Sequence, residues 1–283
     1  IARARDIGWL GDNILGSGFG FDVGVFISPG GYILGEETAL LEALEDRRGE
    51  PRNKPPYPTT HGLFGAPTAV NNPETLVNVL GIVTDGPDAY RSVGTDDSPG
   101  TKLFCLSGHV DRPGLYELPF GITLGSLIER AGGSPESLQV VLLGGAAGSF
   151  VGPDQLDLPL SLEATRDAGL SLGSGVVMVF DDTVEMAPVV TRIAEFFRNE
   201  SCGQCVPCRV GTVRQHELLV GRDDGGRPDA AHLDTDALDT DPLDTGLLDE
   251  IAQVMADASI CGLGHTASTA VRSAIALGLI GAM

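Results

Sequence analysis

Ser201-Cys-Gly-Gln-Cys-Val-Pro-Cys-Arg209 is the most informative stretch of this chain. Cys202, Cys205 and Cys208 stand with two residues between neighbours, and Cys261 follows after a gap of 52 residues. Three thiolates at that pitch can wrap three iron corners of a [4Fe–4S] cube, with a remote cysteine on the fourth. A structural zinc site also takes four thiolates, but ordinarily as two separated pairs. Disulfides are the remaining alternative and need an oxidising compartment, which nothing else here supports. A cube needs four ligands, and besides the triplet only Cys105 and Cys261 remain. Cys105 lies in Leu103-Phe-Cys-Leu106, an apparent strand of another segment, where a buried small hydrophobe without a role is expected.

From Met186 onward the chain reads as helical. Val189–Glu200 carries Ile193, Phe196 and Phe197 on one face, and helices are expected at 206–220, 245–258 and 265–279. Between them, residues 232–245 repeat Leu-Asp-Thr every five residues. The spacing and the absent central glycine do not match a calcium loop, so Asp234–Asp244 reads as a solvated acidic insertion, outside any interface. Upstream, residues 101–183 order as strand (Lys102–Ser107), strand (Gly114–Leu118), helix (Leu124–Ala131) and strands at Val140–Leu143 and Val176–Phe180. That order suggests a compact α+β unit, with residues 91–100 as a linker before it. Residues 1–90 alternate glycine-rich turns with apolar runs. Phe21–Ile27 is β-rich, Ser28-Pro-Gly-Gly31 breaks the chain, and Glu36–Glu45 has helical spacing, which together suggest an α/β unit. Ile1-Ala-Arg-Ala-Arg-Asp-Ile-Gly-Trp-Leu10 reads like the last turns of a helix begun earlier, so the N-terminal part of a longer protein is expected to be missing.

Composition narrows the class. With 283 residues and 42% hydrophobic content the chain can bury two modest cores or three small ones, and disorder is disfavoured. A net charge of −21 repels phosphate backbones and argues against a nucleic-acid partner. No run of 18 apolar residues suggests direct membrane insertion. Five cysteines, three of them in one heptapeptide, fit a metal site in a reducing compartment, and a cytoplasmic location is expected.

Gly30, Gly31 and Gly35 precede the helix at Glu36, and glycines let backbone approach a ligand closely. Alone this signal is weak. Glu36 and Glu37 can simply favour a first helical turn, Lys54 and Tyr57 can be surface residues, and Asn71-Asn72 can be a turn.

Five segments in order carry more. Gly31-Tyr-Ile-Leu-Gly-Glu-Glu-Thr-Ala-Leu40, Lys54-Pro-Pro-Tyr-Pro58, Gly62-Leu-Phe-Gly-Ala-Pro-Thr-Ala-Val-Asn-Asn-Pro-Glu-Thr75, Glu200–Arg209 and Ile260-Cys-Gly-Leu-Gly264 together resemble the NADH-binding flavoprotein subunit of respiratory complex I and its relatives. Those relatives include the diaphorase subunits of NAD-dependent hydrogenases and formate dehydrogenases. Gly144–Gly148 and Ala258–Ser268 look more like the formate dehydrogenase branch.

The resemblance implies a partial Rossmann-like α/β domain for FMN and NADH over residues 1–90. It further implies a ubiquitin-like β-grasp domain over 101–183 and a helical bundle bearing a [4Fe–4S] cluster over 186–283. It places Tyr32, Gly35, Glu36 and Glu37 beside flavin and nicotinamide, Glu37 with a catalytic role. Lys54 and Tyr57 match positions contacting NAD(H), and Val70, Asn71, Asn72 and Thr75 match a stretch holding FMN. Cys202, Cys205, Cys208 and Cys261 match the cluster ligands. The implied function is electron transfer between NAD(H), FMN and the cluster. The implied partners are a thioredoxin-like [2Fe–2S] subunit and a larger iron–sulfur or catalytic subunit, at the cytoplasmic face of a membrane complex or free of one. The family's upstream glycine-rich flavin loop is not in this chain. A flavin-less iron–sulfur wiring or scaffold module is therefore the alternative.

Overall fold

One strand organises the architecture. In the computed structural model, which describes residues 1–133, 137–220 and 243–281, Val140 to Leu143 are buried without interruption. Successive strand side chains point to opposite faces, so such a run must be covered on both. Val141 and Leu143 enter one core, with Phe104, Leu106, Leu127, Val177 and Val179. Val140 and Leu142 enter the other, with Phe150, Phe180 and the C-terminal helices.

That strand is β3 (Leu138–Leu143) of a five-stranded sheet with β1 (Thr101–Gly108), β2 (Gly114–Pro119), β4 (Ser149–Val151) and β5 (Val176–Asp181). The order is β2-β1-β5-β3-β4. β1 and β5 are parallel, and the other pairings are antiparallel, with Phe104 opposite Tyr116 and Val141 opposite Val179. The helix Leu124–Arg130, capped by Thr123, closes the first core with Leu124, Leu127 and Ile128. The result is a mixed α/β fold built on a single sheet.

The second face of the sheet is covered by helices. Met186–Glu200 presents Met186, Val190, Ile193, Ala194 and Phe197 as a buried stripe at three- and four-residue spacing. Each such large side chain, fully buried, contributes about 1.5–3 kcal/mol. Val206–Val220, Thr245–Ala258, Gly262–Thr266 and Thr269–Ala276 complete the bundle. The helix expected over 265–279 is broken in two. Buried Gln215 donates to the Ala267 carbonyl at 3.0 Å and accepts from the Ser268 hydroxyl, so the chain turns there.

The first hundred residues differ most from expectation. Phe21–Ile27 forms no strand. Phe21 makes one isolated bridge to Gly11, and Val25 and Ile27 stand exposed. β-branched residues favour extended backbone, but a strand also needs a ladder neighbour for its N–H and C=O groups. The helix of the expected unit is present over Glu37–Leu44. Asn71-Asn72 is more than a turn. Asn72 Oδ1 accepts the Glu74 amide at 2.9 Å and starts the helix Pro73–Asp85, with proline at its first position. Residues 91–100 are not a free linker, because Ser98 is buried and its hydroxyl donates to Glu163 at 2.6 Å.

Cys105 is exposed, contrary to expectation. Its apolar neighbours Phe104 and Leu106 are buried because they point the opposite way. Most of the acidic repeat lies outside the described residues. Its C-terminal end does not: Leu243 is buried in the second core, and Asp244 Oδ1 accepts the Leu247 amide at 2.8 Å as the cap of the next helix. Among the described residues, no helix is long and apolar enough to cross a membrane.

Candidate functional site

The cysteine motif occupies a helix–loop–helix corner. Met186–Glu200 ends at Ser201, Cys202 and Gly203 form the loop, Cys205 precedes Val206–Val220, and Cys208 lies in its first turn. Gly203 has φ +78°, a left-handed conformation that disfavours a side chain and turns the loop back. Cys261 stands at the start of Gly262–Thr266, between that short helix and Thr245–Ala258. Cys205, Cys208 and Cys261 share one core. Burial pushes the Cys208 thiol up to about 11; the Ser201 hydroxyl, 3.3 Å from its sulfur, opposes the rise, and Cys205, Cys261 and Cys202 add to it. Burial also raises Cys261, opposed by the facing amides of Leu263 and Gly264.

These thiols are expensive to ionise unless a cation arrives, which is the behaviour of a ligand set that gives up protons on metal binding. Among the described residues, no three His, Cys, Asp or Glu side chains close on one point for a single metal ion. Cys208 feels the charges of Cys205, Cys261 and Cys202, so the four thiols are neighbours at this corner and supply one ligand for each iron of a cube. The residues present fit a [4Fe–4S] group.

Two further residues shape this pocket. A Cβ on Gly264 would stand 2.3 Å from Ser259 Oγ, 2.5 Å from Ser259 Cβ and 3.1 Å from Cys208 Cβ. Ser259 is 8% exposed, and its hydroxyl is the one buried side-chain polar atom among the described residues without a hydrogen-bond partner. An unmet buried polar group costs about 1–3 kcal/mol. Both lie in the Ala258–Ser268 stretch, but the sequence gives neither a role; the packing supplies the reason for Gly264.

The corner is tied to the segment around Tyr32. The Tyr32 amide donates to Glu200 Oε2 at 2.6 Å, and Arg48 donates to the Cys202 carbonyl. The Tyr32 ring meets Phe196 edge-on at 5.0 Å, and Phe196 meets Phe197 at 5.3 Å. Glu200 and Arg48 therefore bracket the loop that carries the first cysteine. Glu200 precedes the motif directly, and that adjacency was its signal; nothing local pointed to Arg48.

Of the other sequence-predicted residues, one set comes together. Lys54 Nζ donates to Glu36 Oε1 at 3.0 Å and to Glu37 Oε1 at 2.8 Å. Glu36 caps its helix, accepting from the Thr38 and Ala39 amides at 2.9 and 2.8 Å. Burial would raise the Glu36 carboxyl, but bonds from Thr38, Lys54 and the Ala39 amide outweigh it and hold it low. Burial would likewise lower Lys54, and Glu37 and Glu36 outweigh it and raise it. Tyr32 and Tyr57 are exposed, and apart from its own stretch of chain nothing lies within 4 Å of where a Cβ on Gly35 would stand. That backbone is therefore open to the approach of a flat ring system. Val70, Asn71, Asn72 and Thr75 lie exposed at the start of Pro73–Asp85. No hydrogen bond or ion pair among the described residues joins them to the Lys54 set.

Comparison with known proteins places this geometry. The family described as the NADH-ubiquinone oxidoreductase-F iron-sulfur binding region matches residues 188–277, and the SLBB domain matches 103–146. The first match contains all four cysteines of the corner. The NADH-quinone oxidoreductase-F protein of Mycobacterium tuberculosis is 43% identical over 97% of this chain and 59% of its own length. Its counterpart in Rhizobium meliloti, the second of that type, is 48% identical over 75% of this chain and 51% of its own, and the Escherichia coli counterpart 46% over 75% and 48%. Among solved structures, a NAD+-reducing [NiFe]-hydrogenase in the H2-reduced state superposes with a TM-score of 0.78 at 38% identity, covering 90% of this chain and 42% of that one. The chain thus spans 48–59% of the length of these curated relatives.

Proposed function

We propose that this chain, a homologue of the NADH-quinone oxidoreductase-F proteins, is an electron-transfer flavoprotein subunit working between NAD(H), FMN and a [4Fe–4S] cluster. The observation that carries this reading is the junction between Tyr32 and the cysteine corner, where an edge-on aromatic contact at 5.0 Å and the Glu200 bond join the two candidate sites. When bound, flavin exchanges two electrons with nicotinamide and passes them singly to a one-electron centre. The protein's work is orientation. Cys202, Cys205, Cys208 and Cys261 hold the cluster. Tyr32, Gly35, Glu36, Glu37, Lys54 and Tyr57 offer a face for the nucleotide rings, and Lys54 keeps the two carboxylates in place. Val70, Asn71, Asn72 and Thr75 contribute the remaining flavin contacts.

In this reading residues 1–90 are the second half of a nucleotide domain, 101–183 a ubiquitin-like β-grasp domain, and 186–283 the cluster-bearing bundle. The protein works in the cytoplasm. A thioredoxin-like [2Fe–2S] subunit sits beside it, and a larger iron–sulfur subunit of a quinone-reducing or hydrogenase-type complex exchanges electrons with the bundle.

One observation favours the flavin-less alternative: the amides that a phosphate would use at the start of Glu37–Leu44 are already bonded to Glu36. Anaerobic addition of NADH to the purified complex separates the readings. Bleaching of a flavin band together with a new cluster signal in electron paramagnetic resonance is expected. A protein with iron but no flavin band would overturn the flavoprotein reading. Glu37→Gln should slow NADH-dependent ferricyanide reduction well beyond the factor that a lost first-turn acid, worth about 0.3–1 kcal/mol, would produce; unchanged kinetics would leave Glu37 a surface residue.

A further inference from the structure

Ser259 ends the helix Thr245–Ala258, two residues before Cys261. Its backbone is fully used: the amide donates to the Met255 carbonyl at 3.2 Å, and its carbonyl meets His265 Nε2 at 2.7 Å. The hydroxyl is not used. Serine at a helix end usually bonds to a nearby backbone group, and this one is sealed in the interior without a partner. Its neighbours explain its direction. Ser259 Oγ and Cys208 Cβ crowd the same point beside Gly264, 2.3 and 3.1 Å from the place a Cβ there would take. The unpartnered hydroxyl thus lies against Gly264, beside the Cys208 side chain and two residues from Cys261 in sequence, with a hydrogen to donate and no acceptor.

We propose that Ser259 is a positioning residue of the cysteine centre, whose hydroxyl donates a hydrogen bond to a sulfur of the loaded site and raises its reduction potential. The proposal rests on the assignment of Cys202, Cys205, Cys208 and Cys261 as cluster ligands. Hydrogen bonds to sulfur are one of the levers by which a protein sets such a potential. A donor offsets negative charge on sulfur, and the reduced centre carries more of it than the oxidised one. Removing the donor therefore disfavours reduction. The absence of a side chain at Gly264 is part of the device, since a Cβ there would collide with Ser259 and crowd Cys208.

The test is a redox titration of the cluster signal, read by electron paramagnetic resonance, in the intact complex carrying Ser259→Ala. Iron content should match the unaltered complex, and at a fixed poise the oxidised-to-reduced ratio should rise severalfold, tenfold corresponding to about 59 mV for a one-electron couple. Ser259→Thr, which keeps the hydroxyl, should restore most of the potential. If Ser259→Ala does not retain iron, Ser259→Cys, whose S–H is a weaker donor, should give a smaller shift in the same direction. Full iron with an unmoved potential in these variants would overturn the role of Ser259. An unaltered complex without a four-iron signal would overturn the ligand assignment itself, a failure visible before any variant is made.

Discussion

Gly264→Ala is expected to damage the protein although alanine is the better helix former. In an open helix the exchange gains up to about 1 kcal/mol. Here the new Cβ would stand 2.3 Å from Ser259 Oγ, 2.5 Å from Ser259 Cβ and 3.1 Å from Cys208 Cβ. The Ser259 hydroxyl could rotate away, but its Cβ is fixed to a backbone already held by Met255 and His265. Relief therefore requires Gly262–Thr266 to move off Thr245–Ala258. Overpacking of this kind costs about 1–3 kcal/mol, so the net loss is of order 1–2 kcal/mol. For a unit of this size each kcal/mol moves the melting temperature by about 2–4 °C, which gives a fall of about 2–8 °C. Anaerobic thermal unfolding measures it, with iron per chain as a second readout that should fall because Cys208 is displaced. A Gly264→Ala protein as stable as the original, with full iron, would refute the close packing of Gly264, Ser259 and Cys208.

Cys261→Ser should lose or degrade the cluster while Cys105→Ser keeps it, since Cys105 is exposed on a strand away from the corner; iron analysis and electron paramagnetic resonance of both variants decide. Glu163 anchors residues 95–98: bonds from the Ser98 and Thr95 hydroxyls, at 2.6 and 2.7 Å, hold its carboxyl down at about 2. A depressed carboxyl contributes stability that is present above the ordinary glutamate range and lost as pH falls from there through about 2. Glu163→Gln should therefore lower the melting temperature at pH 7, with the gap narrowing on acidification below the ordinary glutamate range; a gap independent of pH would show that the carboxylate charge does not matter.

The C-terminal half was largely legible in the sequence because its signals are local. The stripe Val190, Ile193, Ala194 and Phe197 announces its helix, and the cysteine spacing announces a corner. The strands at 102, 114, 140 and 176 follow from short apolar runs between turns, continuous in Val140–Leu143 and Val176–Phe180. What stayed hidden depends on partners distant in sequence. Gln215 breaks a helix 52 residues away by taking the Ala267 carbonyl, and no pattern around either residue encodes that. Phe21–Ile27 has strand composition, but a ladder is a property of two segments. Cys105 shows an error of a different kind: apolar flanks in a strand argue for exposure of the residue between them, since alternation reverses the face. Asn72-Pro73-Glu74 carries a helix start in its own residues, an Asx cap followed by proline, although an Asn pair equally suits a turn. At the candidate nucleotide face, Glu36 and Lys54 stand 18 residues apart in sequence, and only the fold brings them into a hydrogen bond.

The double burial of Val140–Leu143 bears on how the molecule comes apart. Its alternate side chains are the wall of two cores, so neither core can melt without stripping the strand from the other. The boundary near residue 185, natural as a division of sequence, is thus not a division of cooperativity. Hydrogen exchange should find the amides of Val140–Leu143 and the buried amides of Met186–Glu200 opening together, as one cooperative unit. Separate expression of residues 101–183 would leave Val140, Leu142, Phe150 and Phe180 facing water. A cluster assembled or lost in the bundle would then be felt as protection in the sheet, a coupling carried by packing alone.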